Sequence, residues 1–246
     1  MNKAKTQMSY TKKYKYEEET STILNLAARK GNIDIIQFCL NTPKIDVNIR
    51  STINHKGMNE IIPYYSNTNE KTVLIEAVES GYTEVVQFLL KNKSFDVNCV
   101  QLKKSISVHE YRFNSNSNDK ETLLHLAIER GYIEIVKLLL LDPKVDINKE
   151  STLIVHKSGG CIAYTSSTKI IEEFSLYFAI NNGDNMLIRF LLDQPQIDIN
   201  LGIKEYSADW ISKELSQEKT PLSLATEKNN LEIVQKLKSN PRIKLQ

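Results

Sequence analysis

Residues 122–148 read TLLHLAIERGYIEIVKLLLLDPKVDIN, and four other segments of the chain follow the same pattern without a gap. Those segments begin at residues 22, 72, 174 and 220. Each copy carries a glycine or an asparagine at the same place, and successive copies are about 50 residues apart. These turn residues are Gly31, Gly81, Gly131, Gly183 and Asn229. The chain is therefore predicted to consist of five repeated structural units.

The pattern within a unit predicts two short helices joined by a reversal. Thr122 precedes the first apolar stretch, where its hydroxyl can accept an unpaired backbone N–H and start a helix. Leu124 and Ala127 are three residues apart and share one helix face. Gly131 supplies the positive φ that ends this helix, and Pro143 stops the second. The second helix buries an apolar stripe that consists of Ile135, Val136, Leu139 and Leu140.

This repeated pattern, from the threonine through Gly-Tyr to Asp-x-Asn, resembles the ankyrin repeat. The resemblance covers residues 20–246 and implies an all-α repeat solenoid in which each unit contacts only its neighbours. The fourth copy departs from it at Phe174 and Ser175, and the fifth ends with Lys244 and Gln246. The family unit has about 33 residues, so the present units carry about 17 more, all between Asp-x-Asn and the next threonine.

The long connections between units are predicted to form β-hairpin fingers, because structureless loops of this length are uncommon. In the third connection, residues 152–155 and 161–164 are β-rich and flank a glycine turn at 158–160. In the second, residues 105–113 alternate, and in the first, residues 54–57 suit a turn. Each of these three hairpins is expected to be followed by a flexible polar stretch, such as residues 114–120. The fourth connection, around residues 207–215, favours a short helix instead.

Composition excludes several classes of protein. The 246 residues carry a formal net charge of +2, with 25% charged and 41% hydrophobic residues, so the chain is neither polyelectrolyte nor disordered as a whole. No apolar run approaches the roughly 18 residues that cross a bilayer, and no apolar stretch follows the N-terminal lysines as in a secretory signal. Cys39, Cys99 and Cys161 are far apart, which predicts reduced thiols. The expected location is intracellular, in the cytoplasm or alternatively the nucleus.

Because the sequence lacks known catalytic motifs, the chain is predicted not to be an enzyme and to bind no cofactor or metal. The sequence has no phosphate-binding glycine loop, HExxH, GxSxG or EF-hand loop. One alternative is a metal site that brings together histidines and a cysteine from stacked fingers: His55, His109, His156 and Cys161. By the family resemblance, His125 is expected to be a hydrogen-bonding strut. The Asp and Asn columns that end the units are expected to form turns.

The N-terminal residues 1–19 are predicted to be a polar, mobile arm ahead of a repeat domain of residues 20–246. The arm interleaves lysines with Tyr10, Tyr14 and Tyr16, a composition that also suits nucleic-acid contacts. The carboxylates of residues 17–19 cancel part of this positive charge. Nucleic-acid binding through the arm is therefore kept as an alternative function.

The resemblance implies a protein-interaction scaffold, because in ankyrin proteins the finger tips and the ends of the first helices face a groove that binds partner proteins. The expected partner is another protein, without membrane insertion, and a monomer is the default state. The helix-end candidates are Arg29, Lys30, Glu79, Ser80, Glu129, Arg130, Asn181, Asn182, Glu227 and Lys228. The aromatic finger candidates are Tyr64, Tyr65, Tyr111, Phe113, Tyr164, Tyr206 and Trp210.

Overall fold

The computed structural model describes residues 14–43, 45–58, 64–92, 94–108, 113–159, 166–208 and 213–244. These residues form five helix pairs and nine strands. The helix pairs are α1 (Ile23–Arg29) with α2 (Ile33–Leu40), α3 (Val73–Glu79) with α4 (Thr83–Lys91), α5 (Leu123–Glu129) with α6 (Ile133–Leu141), α7 (Ser175–Asn182) with α8 (Asn185–Leu192), and α9 (Pro221–Glu227) with α10 (Leu231–Ser239). The strands are β1 (Tyr14–Thr20), β2 (Ser51–Met58), β3 (Tyr64–Lys71), β4 (Val100–Val108), β5 (Phe113–Thr122), β6 (Ser151–Gly159), β7 (Ser166–Glu173), β8 (Ile203–Ala208) and β9 (Lys213–Lys219).

The local signals that predict the helix pairs are confirmed. The hydroxyls of Thr22, Thr72, Thr122 and Thr220 each accept the backbone N–H three residues later, which caps the first helix of four units. The reversal residues adopt positive φ, between 70° and 79° at the four glycines and 55° at Asn229. Each helix pair is therefore set by residues within its own unit.

The units stack as a repeat solenoid, as predicted. Neighbouring first helices pack side by side from α1 to α9, and contacts between second helices join α4 to α6 and α8 to α10. The asparagine that ends each unit bridges to the next unit. The Asn48 amide donates to the Ser94 carbonyl at 2.9 Å and accepts the Asp96 N–H at 3.0 Å, and Asn98, Asn148 and Asn200 repeat this bridge. The predicted turn role of these columns is confirmed, because Asp46 accepts the Asn48 N–H in the same turn.

The all-α part of the fold prediction is not confirmed, because the connections form one continuous antiparallel sheet. All nine strands pair in the order of the sequence, from β1 to β9. Four hairpins are formed, β2–β3, β4–β5, β6–β7 and β8–β9, and the first three each pair with the next one along the solenoid, as Asn67 faces Ser105 between β3 and β4. The hairpins therefore make a wall and not separate fingers.

Several details of the predicted connections are wrong. The expected short helix around residues 207–215 is part of the β8–β9 hairpin, whose register shifts at Glu205 and Tyr206. The expected flexible stretch of residues 114–120 is strand β5, paired on both sides. The expected turn at residues 54–57 lies within β2, and residues 158–159 lie within β6. Residues 160–165, with the expected strand at 161–164, lie outside the described residues.

Within the predicted N-terminal arm, residues 14–19 belong to strand β1, which pairs along its whole length with β2. Residues 1–13 lie outside the described residues. No helix in the described ranges is long and apolar enough to span a bilayer.

Candidate functional site

The predicted helix-end residues line up along the solenoid, because the first helices pack side by side. Most of their charges are engaged within the repeat array. Arg29 bonds Glu19 at 2.6 Å and Glu76 at 2.8 Å, so this side chain joins the first unit to the second. Glu79 pairs with Lys71 and, at 3.3 Å, with Arg130 of the following unit. Glu227 bonds Lys219 at 3.0 Å.

The remaining helix-end candidates differ in exposure. Ser80 is half-buried and caps the end of α3. The others are exposed, and they are Lys30, Glu129, Asn181, Asn182 and Lys228. The structure therefore places the ten candidates in one row, with some serving the array and others facing solvent.

The structure describes the side chain of only one of the aromatic candidates, Tyr206. Tyr64 and Tyr65 lie in β3 and Phe113 lies in β5, but their side chains are not described. Tyr111, Tyr164 and Trp210 lie outside the described residues. Tyr206 lies in β8, where its hydroxyl donates to Glu172 Oε2 at 3.1 Å. The binding role of these aromatic residues stays a prediction.

A cavity of about 160 Å³ lies between the sheet and the first helices at the junction of the third and fourth units. Strand β5 contributes Asp119 and Glu121, which are two residues apart and so share one face of the sheet. Lys103 lies directly opposite Asp119 on β4. Glu173 ends β7, and the helices contribute His125 from α5 and Phe178 from α7. The remaining lining residues are Lys120, Ser151, Thr152, Leu153 and Ile171.

The cavity continues into a second hollow on the same face of the sheet. This hollow has a volume of about 420 Å³ and shares Lys103 and Asp119 with the cavity. Its walls are polar side chains at alternate positions of neighbouring strands, among them Asn67, Asn69, Ser105 and Ser117. We call the two hollows together the groove.

Three carboxylates and two lysines line the cavity, which leaves an excess of one negative charge. Lys103 Nζ bonds Glu121 Oε2 at 2.8 Å, and burial raises the pKa of Glu121. Burial also raises the pKa of Asp119, although the Ile154 N–H and the charge of Lys103 lower it in part. The pKa of Glu173 is raised by burial and by the charge of Glu205. These shifts share one cause: the carboxylates lie in a site where water and neighbouring cations do not fully compensate their charge.

Two polar atoms of the cavity lack hydrogen-bond partners among the described residues, and they are Asp119 Oδ1 and His125 Nε2. His125 is 2% exposed, and its Nδ1 lies 2.8 Å from Thr122 Oγ1. Its ring packs against Phe178 with centroids 5.3 Å apart. The Thr122 contact agrees with the predicted strut, while Asp119 Oδ1 is buried without a hydrogen-bond donor among the described residues.

Burial lowers the pKa of His125 to about 4, and the nearby Glu173 carbonyl offsets the lowering only in part. In the unfolded chain His125 therefore binds a proton near pH 6.5, whereas in the folded chain it stays neutral down to about pH 4. Stability is expected to fall as the pH drops through this window, by about 3 kcal/mol from this residue alone.

The matched variant is His125→Asn, because Asn25 stands at the same place in the first unit and bonds Thr22. The raised pKa values of Glu121 and Glu173 act in the opposite direction in both proteins, so the difference between the two proteins isolates the histidine. Urea unfolding at pH values from 7 to 4 gives the free energy of unfolding of both proteins, and the difference in its pH dependence is the contribution of His125. Equal pH slopes for both proteins would show that His125 is not the buried, neutral group described here.

Asp119, Glu121 and Lys103 are not among the site residues predicted from the sequence, and Asp119 lies in the stretch 114–120 that was expected to be flexible. The available signal was the alternation of Asp119 and Glu121 directly ahead of Thr122. That alternation indicates a shared face only once β5 is known to be a strand.

The fold and the groove define a repeat solenoid of stacked helix pairs with an open, polar face. A family model described as ankyrin repeats (3 copies) matches residues 4–101, and one described as ankyrin repeats (many copies) matches residues 74–140. Together they cover more than half of the chain, which therefore belongs to the ankyrin repeat family. No curated protein is significantly similar to it. Ankyrin repeats are generally protein–protein interaction modules.

The two alternative chemistries from the sequence are not tested. His55 lies in β2, the side chain of His156 is not described, and His109 and Cys161 lie outside the described residues. Within the described ranges, no group of three or more potential ligands could hold a metal ion. The N-terminal lysines of the proposed nucleic-acid contact also lie outside the described residues. Both alternatives stay predictions.

Proposed function

We propose that this chain is a non-enzymatic scaffold that binds a partner protein in the groove. The cavity at the third and fourth units receives a basic side chain of the partner. Exposed helix ends such as Lys30 and Asn182, together with the aromatic candidates of the hairpins, supply further contacts. The family supports the interaction role, and the chemistry of the cavity supports the kind of side chain that enters it.

The observation that carries this proposal is the imbalance of charge in the cavity. Three carboxylates and two lysines, Lys103 and Lys120, line it, and the salt bridge from Lys103 goes to Glu121. Asp119 Oδ1 has no hydrogen-bond donor among the described residues. An ammonium or guanidinium group from a partner would neutralise a carboxylate that burial disfavours, and rotation of the Asp119 side chain would give the buried Oδ1 a donor.

Replacing Asp119 by lysine is expected to weaken partner binding at least tenfold, because the variant puts a second cation beside Lys103. The matched control is Asn118→Lys, since Asn118 is the preceding residue of β5, faces the other side of the sheet and is exposed. Affinity capture from native extract identifies the partner with the wild-type chain. Titration of that partner against both variants then gives the affinities.

The outcome that contradicts the proposal is equal binding of the partner by the wild-type chain and Asp119→Lys. Equal loss in both lysine variants would also contradict it, because binding would then follow net charge and not the groove face. Circular dichroism of each variant verifies that the fold is retained.

A further inference from the structure

The outer side of the first unit exposes apolar side chains at positions that are buried or half-buried in the later units. Ile23 is 67% exposed, whereas Val73 and Leu123 at the same position are 0% and 2% exposed. Ile35 is 43% exposed, whereas Val85 at its position is 1% exposed. Later units bury these positions against the unit before them. We call the exposed set the first-unit face, and it consists of Ile23, Leu26, Ile35, Phe38, Ile45 and Ile49.

The last unit, at the opposite end of the solenoid, has polar side chains on its outer side. In the last unit, Ser223 and Thr226 are exposed at positions that hold buried Ile75 and Val78 in the second unit. Lys238 is exposed at the position where the earlier units have a buried or half-buried leucine. Terminal repeats need such polar outer faces for solubility, and the last unit has one. The first-unit face instead keeps the composition of an internal interface.

We propose that two copies of this chain associate through their first-unit faces across a two-fold axis. A two-fold interface uses the same patch on both copies, so it needs no complementary surface elsewhere on the molecule. The polar last unit disfavours stacking of first unit on last unit, the arrangement that would produce open filaments. The association is therefore closed at two copies.

The area of the first-unit face suits this assembly. From the exposed fractions of its six side chains, it presents roughly 600 Å² of mostly apolar surface per copy, against about 800 Å² per partner in a standard interface. Rim residues make up the difference. An exposed apolar area of this size is at the upper end of what one patch on a monomer presents.

The charges at the edge of the first-unit face are self-complementary. Lys30 and Asp34 are both exposed beside it, one of each sign. Arg130 stands at the position of Lys30 in the third unit, and it reaches back to Glu79 of the preceding unit at 3.3 Å. A two-fold axis can therefore place the lysine of each copy near an acid of the other.

The N-terminal residues 1–13 are a poor complement to the first-unit face. They include four lysines, and their only large apolar side chains are Met1, Met8 and Tyr10. They join the fold at Tyr14, which lies opposite Met58 at the end of β1 farther from α1. Seven residues of strand, roughly 23 Å, separate that junction from the start of the first unit.

Sedimentation velocity of the full chain across a wide concentration range tests the proposal. The wild-type chain is expected to reach twice its monomer mass of 28.2 kDa. Phe38→Lys is expected to weaken the dimer roughly 30-fold or more, because Phe38 is 75% exposed on the first-unit face and an aromatic anchor is lost from each copy. Lysine stands naturally at this position in the last unit, as Lys236. Ile23→Ser is a second variant, since Ser175 occupies its position in the fourth unit.

The matched control is Leu231→Lys, which changes an apolar side chain that is 73% exposed in the last unit. It is expected to remain dimeric. A wild-type chain that stays monomeric at high concentration would overturn the proposal. In that case residues 1–13 or another protein would cover the first-unit face. A dimer that persists in both Phe38→Lys and Ile23→Ser would place the interface elsewhere. Neither result bears on binding in the groove.

Discussion

Replacing Glu76 by alanine is expected to lower the free energy of unfolding by about 3 kcal/mol. The Glu76 side chain is 1% exposed, and it accepts hydrogen bonds from Arg29 at 2.8 and 3.0 Å and from Ser51 at 2.9 Å. Its removal leaves Arg29 without its buried partner at the junction of the first two units. The loss is expected at the lower end for a broken buried pair, because Arg29 keeps its bond to Glu19.

The double variant Arg29→Met with Glu76→Leu is expected to recover most of that loss. Leu126 occupies the position of Glu76 in the third unit and is 1% exposed, so the array accepts an apolar residue there. Removing both charges also removes the cost of desolvating them. Urea unfolding gives all the free energies, with exposed Glu84→Ala as the control that changes little. A loss in the double variant equal to that in Glu76→Ala would contradict the assignment of the loss to an unpaired charge.

Replacing Leu139 by alanine is expected to cost about 2–5 kcal/mol, because its fully buried side chain lies in the third unit and the replacement leaves a cavity. A central unit supports neighbours on both sides, so this loss is expected to separate the array into independently unfolding parts. Fluorescence and circular dichroism are then expected to give transitions that do not coincide.

The matched variant is Leu237→Ala, at the same position of the last unit and equally buried. Since that unit has a neighbour on one side only, its variant is expected to fray the end of the array and leave the main transition in place. If both variants lower one common transition equally, the units do not behave as a linear array.

The helix pairs could be predicted from the sequence because their signals are local. Thr122 caps its helix, Gly131 turns the chain, and the apolar stripe follows within a few residues. Such interactions need no knowledge of the rest of the chain. The family could therefore be recognised from the sequence, because the same local pattern recurs in five units.

The continuous sheet could not be predicted, because its pairing joins residues far apart in the sequence. The run of Asn and Ser residues that opens β5 has low strand propensity, and it is ordered as a strand because β4 and β6 pair with it on both sides. The prediction of a helix around residues 207–215 was wrong for the same reason, because β8 pairs with β7 of the preceding hairpin. Asp119 and Glu173 meet in one cavity only as a result of this pairing.

A spin-label distance between positions 67 and 207 tests most directly whether the hairpins form one sheet. Asn67 on β3 and Ser207 on β8 are exposed, lie in the same row across the strands, and are separated by five strand spacings. The native cysteines would first be replaced, and the labels attached at these two positions. The continuous sheet predicts a narrow distribution centred at about 24 Å. A broad distribution, or one centred well beyond 35 Å, would show that the hairpins project independently and that no wall closes the groove.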